Sequence, residues 1–279
     1  MANSHLRTKR LKPVLDKVPP GFLVDTAWLR AQGVDPKSIH RYVSRGWLER
    51  VIRGVYRRPL PMGIQDSTLV SWESVILSLQ RLLGHDVHLG GESALDLAGL
   101  NHYLYFGGRP QVHFYGSVPI WVSRLPLRTN IQVHRRTLFG DYRVGIDESD
   151  HDVGRNERGV SVWHWPIVAS CPERAILEAL DVIRTAADFE RLDSVFNALT
   201  TLRPNLLTML LASCQSVKVR RLFFVFAEKH SHAWMNYLDK SRIDFGSGPR
   251  ALVEGGRIHP VYRIYVPPEF VVVESGLTE

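Results

Sequence analysis

Lys37, Arg41 and Arg45 recur at every fourth residue. On a helix this spacing puts all three on one side. Ser38, His40 and Ser44 flank them. Arg41 and Lys37 could bind guanine O6 and N7, and the serines and histidine could reach base edges or phosphates. His40 could equally cap or pack. Arg50, Arg53, Arg57 and Arg58 follow a few residues on, and Arg7, Lys9, Arg10 and Lys12 precede. These residue types bind polyanions.

Other chemistry finds less support. Asp147, Glu148, Asp150 and Asp152 are close together and could hold a metal, but a nuclease also needs a lysine nearby, and a solvated loop is the simpler reading. The sequence lacks G-x-S-x-G, H-E-x-x-H, C-x-x-C, the phosphate-binding GxxxxGK[ST] and a Rossmann glycine run. Cys171 and Cys214 have no metal-site spacing and cannot form a disulfide framework, so they read as structural cysteines in a reducing cytoplasm. His230 and His232 would need metal partners that the sequence does not identify. His164, between Trp163 and Trp165, reads as a strand histidine. No catalytic residue, metal or cofactor is assigned, and an enzyme is not expected.

The charge distribution singles out the first group. The chain has 279 residues and a net charge of +7. Residues 1–60 hold 13 lysines and arginines against four acids, a balance of +9, and the other 219 residues carry −2. A concentrated basic surface attracts nucleic acid, because each neutralised phosphate releases condensed counterions. The 44% hydrophobic and 23% charged composition fits a folded chain and excludes collagen, coiled coil and global disorder. No 18-residue apolar run predicts a membrane helix, and the basic N-terminus lacks the apolar region of a secretory signal.

The elements that must position these arginines are legible. Leu11, Val14, Leu15 and Val18 have helical spacing, and Pro19-Pro20-Gly21 marks a turn. Asp25 can cap a short helix through Leu29, with Gly33 at its exit. Asp35-Pro36 gives an N-cap and an N1 proline to a second helix, Pro36 to Arg45, ended by Gly46. Ile39, Tyr42 and Val43 form its buried side. Two β-prone runs flank Arg53-Gly54, predicting a hairpin with Arg53 at the tip. Helix, short turn, helix and hairpin make a winged helix-turn-helix over residues 1–61. Trp47 and Tyr56 read as core. A winged helix used for protein contacts, its arginines merely solvated, is the alternative.

Residues 62–279 read as a larger mixed α/β domain, with a β-rich part over 86–168 and a helical part over 169–279. A helix is predicted over 67–83, and Ser93 is expected to cap a short helix. Alternating runs at QVHFYG, IWVSR and IQVHRR predict strands, as does Val160–Val168. Ser170-Cys171-Pro172-Glu173 reads as a capping box. Helices follow near 187–202, 204–214 and 217–230. Ala251–Val253 and Tyr262–Val266 are expected to form a final hairpin around Gly255-Gly256. The fold class is α+β.

Four stretches give the chain a family resemblance: Gly46–Val51 with Arg53–Tyr56; Glu92–Leu95 with Ala98–Leu100; Ala169–Glu178; and Gly248–Arg257 with Tyr262–Pro267. In these the chain resembles the AbiEi-type antitoxins of type IV toxin–antitoxin systems. The resemblance implies an N-terminal domain that represses its own operon at promoter repeats in double-stranded DNA. It implies a C-terminal domain that neutralises, directly or indirectly, a toxin with a nucleotidyltransferase-like fold. The DNA-facing positions carry over to the helix and wing residues above, and no catalytic residues carry over. No heptad or long apolar helix face advertises a dimer, so a monomer on paired sites is expected. A nucleic-acid-acting enzyme and a ligand-sensing repressor are the alternatives.

Overall fold

The computed structural model describes residues 14–60, 69–100, 109–148, 166–251 and 255–271. The arm residues Arg7, Lys9, Arg10 and Lys12 lie outside them, as do His164, Asp150 and Asp152. The chain divides into two compact units. Described residues of the first are 14–60, 69–88, 109–133 and 166–167; the second holds 89–100, 134–148, 168–251 and 255–271.

The first unit opens with a helical turn at 14–17 and a buried Phe22. Strand β1 (Leu23–Asp25) runs directly into helix α1 (Thr26–Ala31). Asp25 is the hinge: its Oδ1 accepts the Trp28 N–H at 2.8 Å, capping α1. Gly33, at φ +79°, lets the chain leave α1 in a left-handed turn. Asp35 then caps α2 (Pro36–Ser44), accepting the Ser38 N–H at 2.8 Å, with Pro36 in the first turn. Strands β2 (Glu49–Ile52) and β3 (Val55–Arg57) form the predicted hairpin about Arg53-Gly54. β1 adds to it antiparallel, giving the order β1-β3-β2. Only three residues long, β1 shows too little alternation to be read from sequence.

Helix α3 (Trp72–Leu77) is capped by the Ser71 side chain and continues as a π-helical turn, Ser78–Leu82. The predicted helix thus begins later than residue 67. Ser78 Oγ accepts the buried Leu23 N–H at 2.7 Å, tying β1 to a residue beyond position 61. β4 (Val87–Leu89), β5 (Gln111–Gly116) and β6 (Asn130–His134) lie side by side in the order β6-β5-β4. Gly116 is obligatory there, since a Cβ would sit 2.3 Å from the Asp86 carbonyl oxygen. The IWVSR run is not a strand. It forms a 3₁₀ helix, Ile120–Arg124, entered from Pro119 and followed by Pro126. Two prolines so close together deny the segment a ladder, and only Val122 buries fully.

In the second unit β7 (Ile146–Glu148) pairs antiparallel with β8 (Val168–Ser170), and Leu89 pairs parallel with Ala169. Of the predicted Val160–Val168 strand, Val168 opens β8, 166–167 are not strand, and 160–165 lie outside the described residues. Helices α4 (Gly91–Leu97), α5 (Pro172–Val182), α6 (Ala186–Ala198), α7 (Pro204–Ser213) and α8 (Val217–His230) surround an aromatic core. Phe196 stacks on Phe226 at 4.8 Å, and Phe270 meets Phe189 and Phe226 edge-on.

Three sequence expectations fail here for identifiable reasons. Ser93 lies inside α4, whose N-cap is Gly90. The Ser170–Glu173 capping box does not form: Cys171 is the N-cap, Ser170 donates to Glu178 and Glu173 pairs with Arg203. A capping box is formed instead at Thr185 and Asp188. The last hairpin pairs β9 (Arg257–Ile258) with β10 (Tyr265–Val266), not Ala251–Val253, of which 252 and 253 lie outside the described residues. In the capping box, partners beyond the local spacing set the outcome: Glu178 takes Ser170 and Arg203 takes Glu173.

Candidate nucleic-acid interface

Helix α2 is divided as its period requires. Ile39 and Tyr42 are buried and Val43 is half-buried. Lys37, His40, Ser44 and Arg45 are exposed, with Ser38 and Arg41 half-buried beside them. The helix is about 14 Å long, a length the major groove accepts. Wing residues Arg50 and Arg53 are also exposed.

A short relay aims Arg41. Asp35 Oδ2 accepts the Ser38 hydroxyl at 2.9 Å, and Ser38 Oγ accepts Arg41 Nη2 at 3.3 Å. One corner of the guanidinium is thereby held while its other donors remain available, and a pre-oriented fork loses less entropy on binding. Asp35 was legible as a cap but not as this anchor. Arg45 lies over the Trp47 ring at 5.1 Å, so Trp47 supports the basic face as well as packing on Tyr42. Ser38→Ala leaves the backbone cap intact and removes the relay. It should weaken binding to the protein's own upstream DNA by about 0.5–1.5 kcal/mol and leave affinity for scrambled duplex unchanged, measured by fluorescence anisotropy.

Two wing arginines are engaged inside the protein. Arg57 makes a two-pronged ion pair with Glu49 Oε2, at 2.9 Å from Nε and 2.7 Å from Nη2, across the β2–β3 ladder. Arg58 Nη1 donates to the carbonyls of Leu15 and Val18, both at 2.6 Å. These contacts assign Arg57 and Arg58 to holding the wing and the preceding turn. Arg53→Ala should lower the slope of log affinity against log salt by about one, whereas Arg57→Ala should leave the slope unchanged. An equal loss from both would show that the Arg57 ion pair opens on DNA.

Elsewhere the described residues offer little chemistry. Asp147 and Glu148 are exposed on β7. Burial pushes the Cys171 thiol up to about 12 and Cys214 to about 11, so neither is a thiolate near neutrality. His230 Nε2 meets Asp193 Oδ1 at 2.8 Å and His232 Nε2 meets the Phe196 carbonyl at 2.7 Å. Among the described residues no group of three or more His, Cys, Asp or Glu is placed to hold a metal. None of their helices is long and apolar enough to cross a membrane.

The fold has a counterpart among solved structures. The crystal structure of the RV2827C protein from Mycobacterium tuberculosis superposes with a TM-score of 0.53 at 16% identity, over 87% of this chain and 85% of that one. No curated protein matches the sequence. Residues 7–106 match the N-terminal domain family described as transcriptional regulator, AbiEi antitoxin. Residues 109–267 match the family described as transcriptional regulator, AbiEi antitoxin, type IV toxin–antitoxin system. With both matches in chain order over nearly its whole length, the chain belongs to the AbiEi antitoxin family of transcriptional regulators.

Proposed function

We propose that the protein is an antitoxin that represses its own operon by sequence-specific binding to double-stranded DNA. The observation that carries this reading is the exposed Lys37-His40-Ser44-Arg45 face of α2 with half-buried Arg41 in its midst, on a helix whose opposite side is locked into the core. α2 enters the major groove, Arg41 and Lys37 read guanine edges, and Arg50 and Arg53 hold phosphates beside it. Residues 1–61 supply DNA binding and residues 62–279 neutralise a toxin with a nucleotidyltransferase-like fold, without catalysis or cofactor. The protein acts in the cytoplasm as a monomer on paired promoter repeats.

The experiment uses the whole chain, because a buried N–H of β1 is satisfied by Ser78. Its upstream DNA and a scrambled duplex are titrated at 50 and 200 mM salt, and the neighbouring toxin gene is co-expressed to score growth rescue. Binding of the upstream DNA by about a thousandfold over scrambled DNA, with rescue, is expected. Equal affinity for both duplexes would refute the repressor assignment, and absence of rescue the antitoxin assignment.

A further inference from the structure

The first unit holds a cationic turn that lies far from the winged helix in sequence. Residues 97–140 carry five arginines and no acid, in a body, residues 61–279, of net charge −2. One of the five, Arg124, ends the 3₁₀ helix Ile120–Arg124. It is exposed, and its side chain has no hydrogen bond or ion pair among the described residues. Side chains three apart on a 3₁₀ helix eclipse, so this one has three distinct sides. Val122 and Leu125, which follows the last turn, are buried and face the core. Ile120 and Ser123 are exposed. Trp121 and Arg124 make the third side, and Trp121 shows where it is turned: its Nε1 donates to Asp25 Oδ2 at 3.2 Å.

Asp25 stands at the root of the wing. It pairs with Val55 across β1 and β3, and the next residue, Thr26, donates its N–H to the Gly54 carbonyl at 2.9 Å. Arg53 and Gly54 form the wing tip between β2 and β3. The Trp121 indole therefore lies beside the wing, and Arg124 stands about 6 Å further along the same side. Both oxygens of Asp25 are taken by N–H donors, those of Trp28 and Trp121, so the carboxylate leaves Arg124 for another anion. The turn is braced on its other flank too. Val70 N–H donates to the Pro126 carbonyl at 2.8 Å and Val70 bridges Leu127, while Ser78, further along the same stretch of chain, accepts the Leu23 N–H of β1. A cation on so braced a scaffold loses little freedom on binding.

We propose that Arg124 binds a backbone phosphate of duplex DNA beside the wing, and that Trp121, through Asp25, is its positioning residue. The proposal rests on the DNA-binding reading above and carries that surface past residue 61. A guanidinium fork matches a phosphate in geometry and charge. A contact of this kind fixes the protein's register on the duplex and reads no base.

The test titrates full-length protein with upstream and scrambled duplex DNA between 50 and 200 mM salt. Arg124→Ala should weaken both duplexes alike, keep the discrimination between them, and lower the slope of log affinity against log salt by about one. Its loss should thus be about fourfold greater at 50 than at 200 mM salt. Trp121→Phe keeps the ring and removes the N–H. It should weaken both duplexes by less than Arg124→Ala does, and should add nothing once Arg124 is alanine. Unchanged affinity and slope in Arg124→Ala, with Arg53→Ala still lowering the slope, overturns the proposal and leaves the DNA reading standing. A loss confined to upstream DNA overturns it as well, since Arg124 would then read a base. A further loss from Trp121→Phe in the Arg124→Ala background overturns the positioning role. If the parent protein binds neither duplex, the DNA reading itself fails and the proposal with it.

Discussion

Glu178→Ala should destabilise the second unit by about 3–5 kcal/mol, the largest effect expected of any single change. Glu178 is 1% exposed and its carboxylate serves three elements. Oε1 accepts Arg174 Nε at 2.9 Å, while Oε2 accepts the Ser170 hydroxyl at 2.8 Å and the Gly91 N–H at 3.1 Å. Arg174 is as deeply buried, donates to the carbonyls of Tyr142 and Val144, and lies over the Phe139 ring at 4.3 Å. Removing the carboxylate leaves an uncompensated buried cation and orphaned donors from β8 and α4. Urea unfolding measures the loss. Glu178→Gln, which retains an acceptor for Ser170 and Gly91, should lose less than the alanine variant. Glu178→Leu with Arg174→Met should lose less than the two single changes combined, because no unpaired charge remains. A loss below about 1 kcal/mol for Glu178→Ala would mean that water replaces the carboxylate and the network is not structural.

This network also shows what the sequence could and could not reveal. The stretches that carry the family resemblance, Glu92–Leu95 and Ala169–Glu178, looked like a cap and an amphipathic helix. In the structure their buried acids meet distant arginines, Glu92 with Arg191 and Glu173 with Arg203, and Ser170 bonds Glu178 within its own stretch. Local periodicity locates an apolar stripe but cannot say which distant cation meets a buried acid. Burial works to raise the Glu173 carboxyl, but the Arg203 guanidinium and backbone N–H outweigh it and hold it below its ordinary value. Glu173 therefore stabilises the fold above the usual carboxylate range, and that contribution is lost as pH falls through its folded value.

The winged helix was more legible because its determinants are local. Asp25, Asp35 and Pro36 announce their helices, and Gly33, Gly46 and Gly54 all take positive φ where the turns require it. The same local pattern could not show that Arg57 and Arg58 turn inward. Glu49 opposes Arg57 across the ladder, a relation set by strand register. The carbonyls that hold Arg58 belong to a turn some 40 residues earlier. Counting arginines thus overestimates the exposed basic surface of the wing.

Arg41→Ala should cost about 1–3 kcal/mol on the specific site, roughly 5- to 150-fold in affinity. The argument is one of position and geometry. Arg41 lies between Lys37 and Arg45 on the solvent side of α2, and it alone of the three is tethered through Ser38 to the cap at Asp35. A tethered fork can match guanine O6 and N7 without first being ordered, whereas an untethered lysine contributes mainly charge. Affinity for scrambled DNA should fall only as one lost cation requires. Arg41→Lys separates the two contributions: charge is kept, so the salt dependence should match the parent protein, while discrimination between upstream and scrambled DNA should fall nearly as far as with alanine. If lysine restores discrimination in full, Arg41 is a phosphate contact and base reading passes to Lys37 and Ser44. The double variant Ser38→Ala with Arg41→Ala should lose no more than Arg41→Ala alone, since a relay has no effect once its terminus is gone. An additional loss would instead place Ser38 itself on a base.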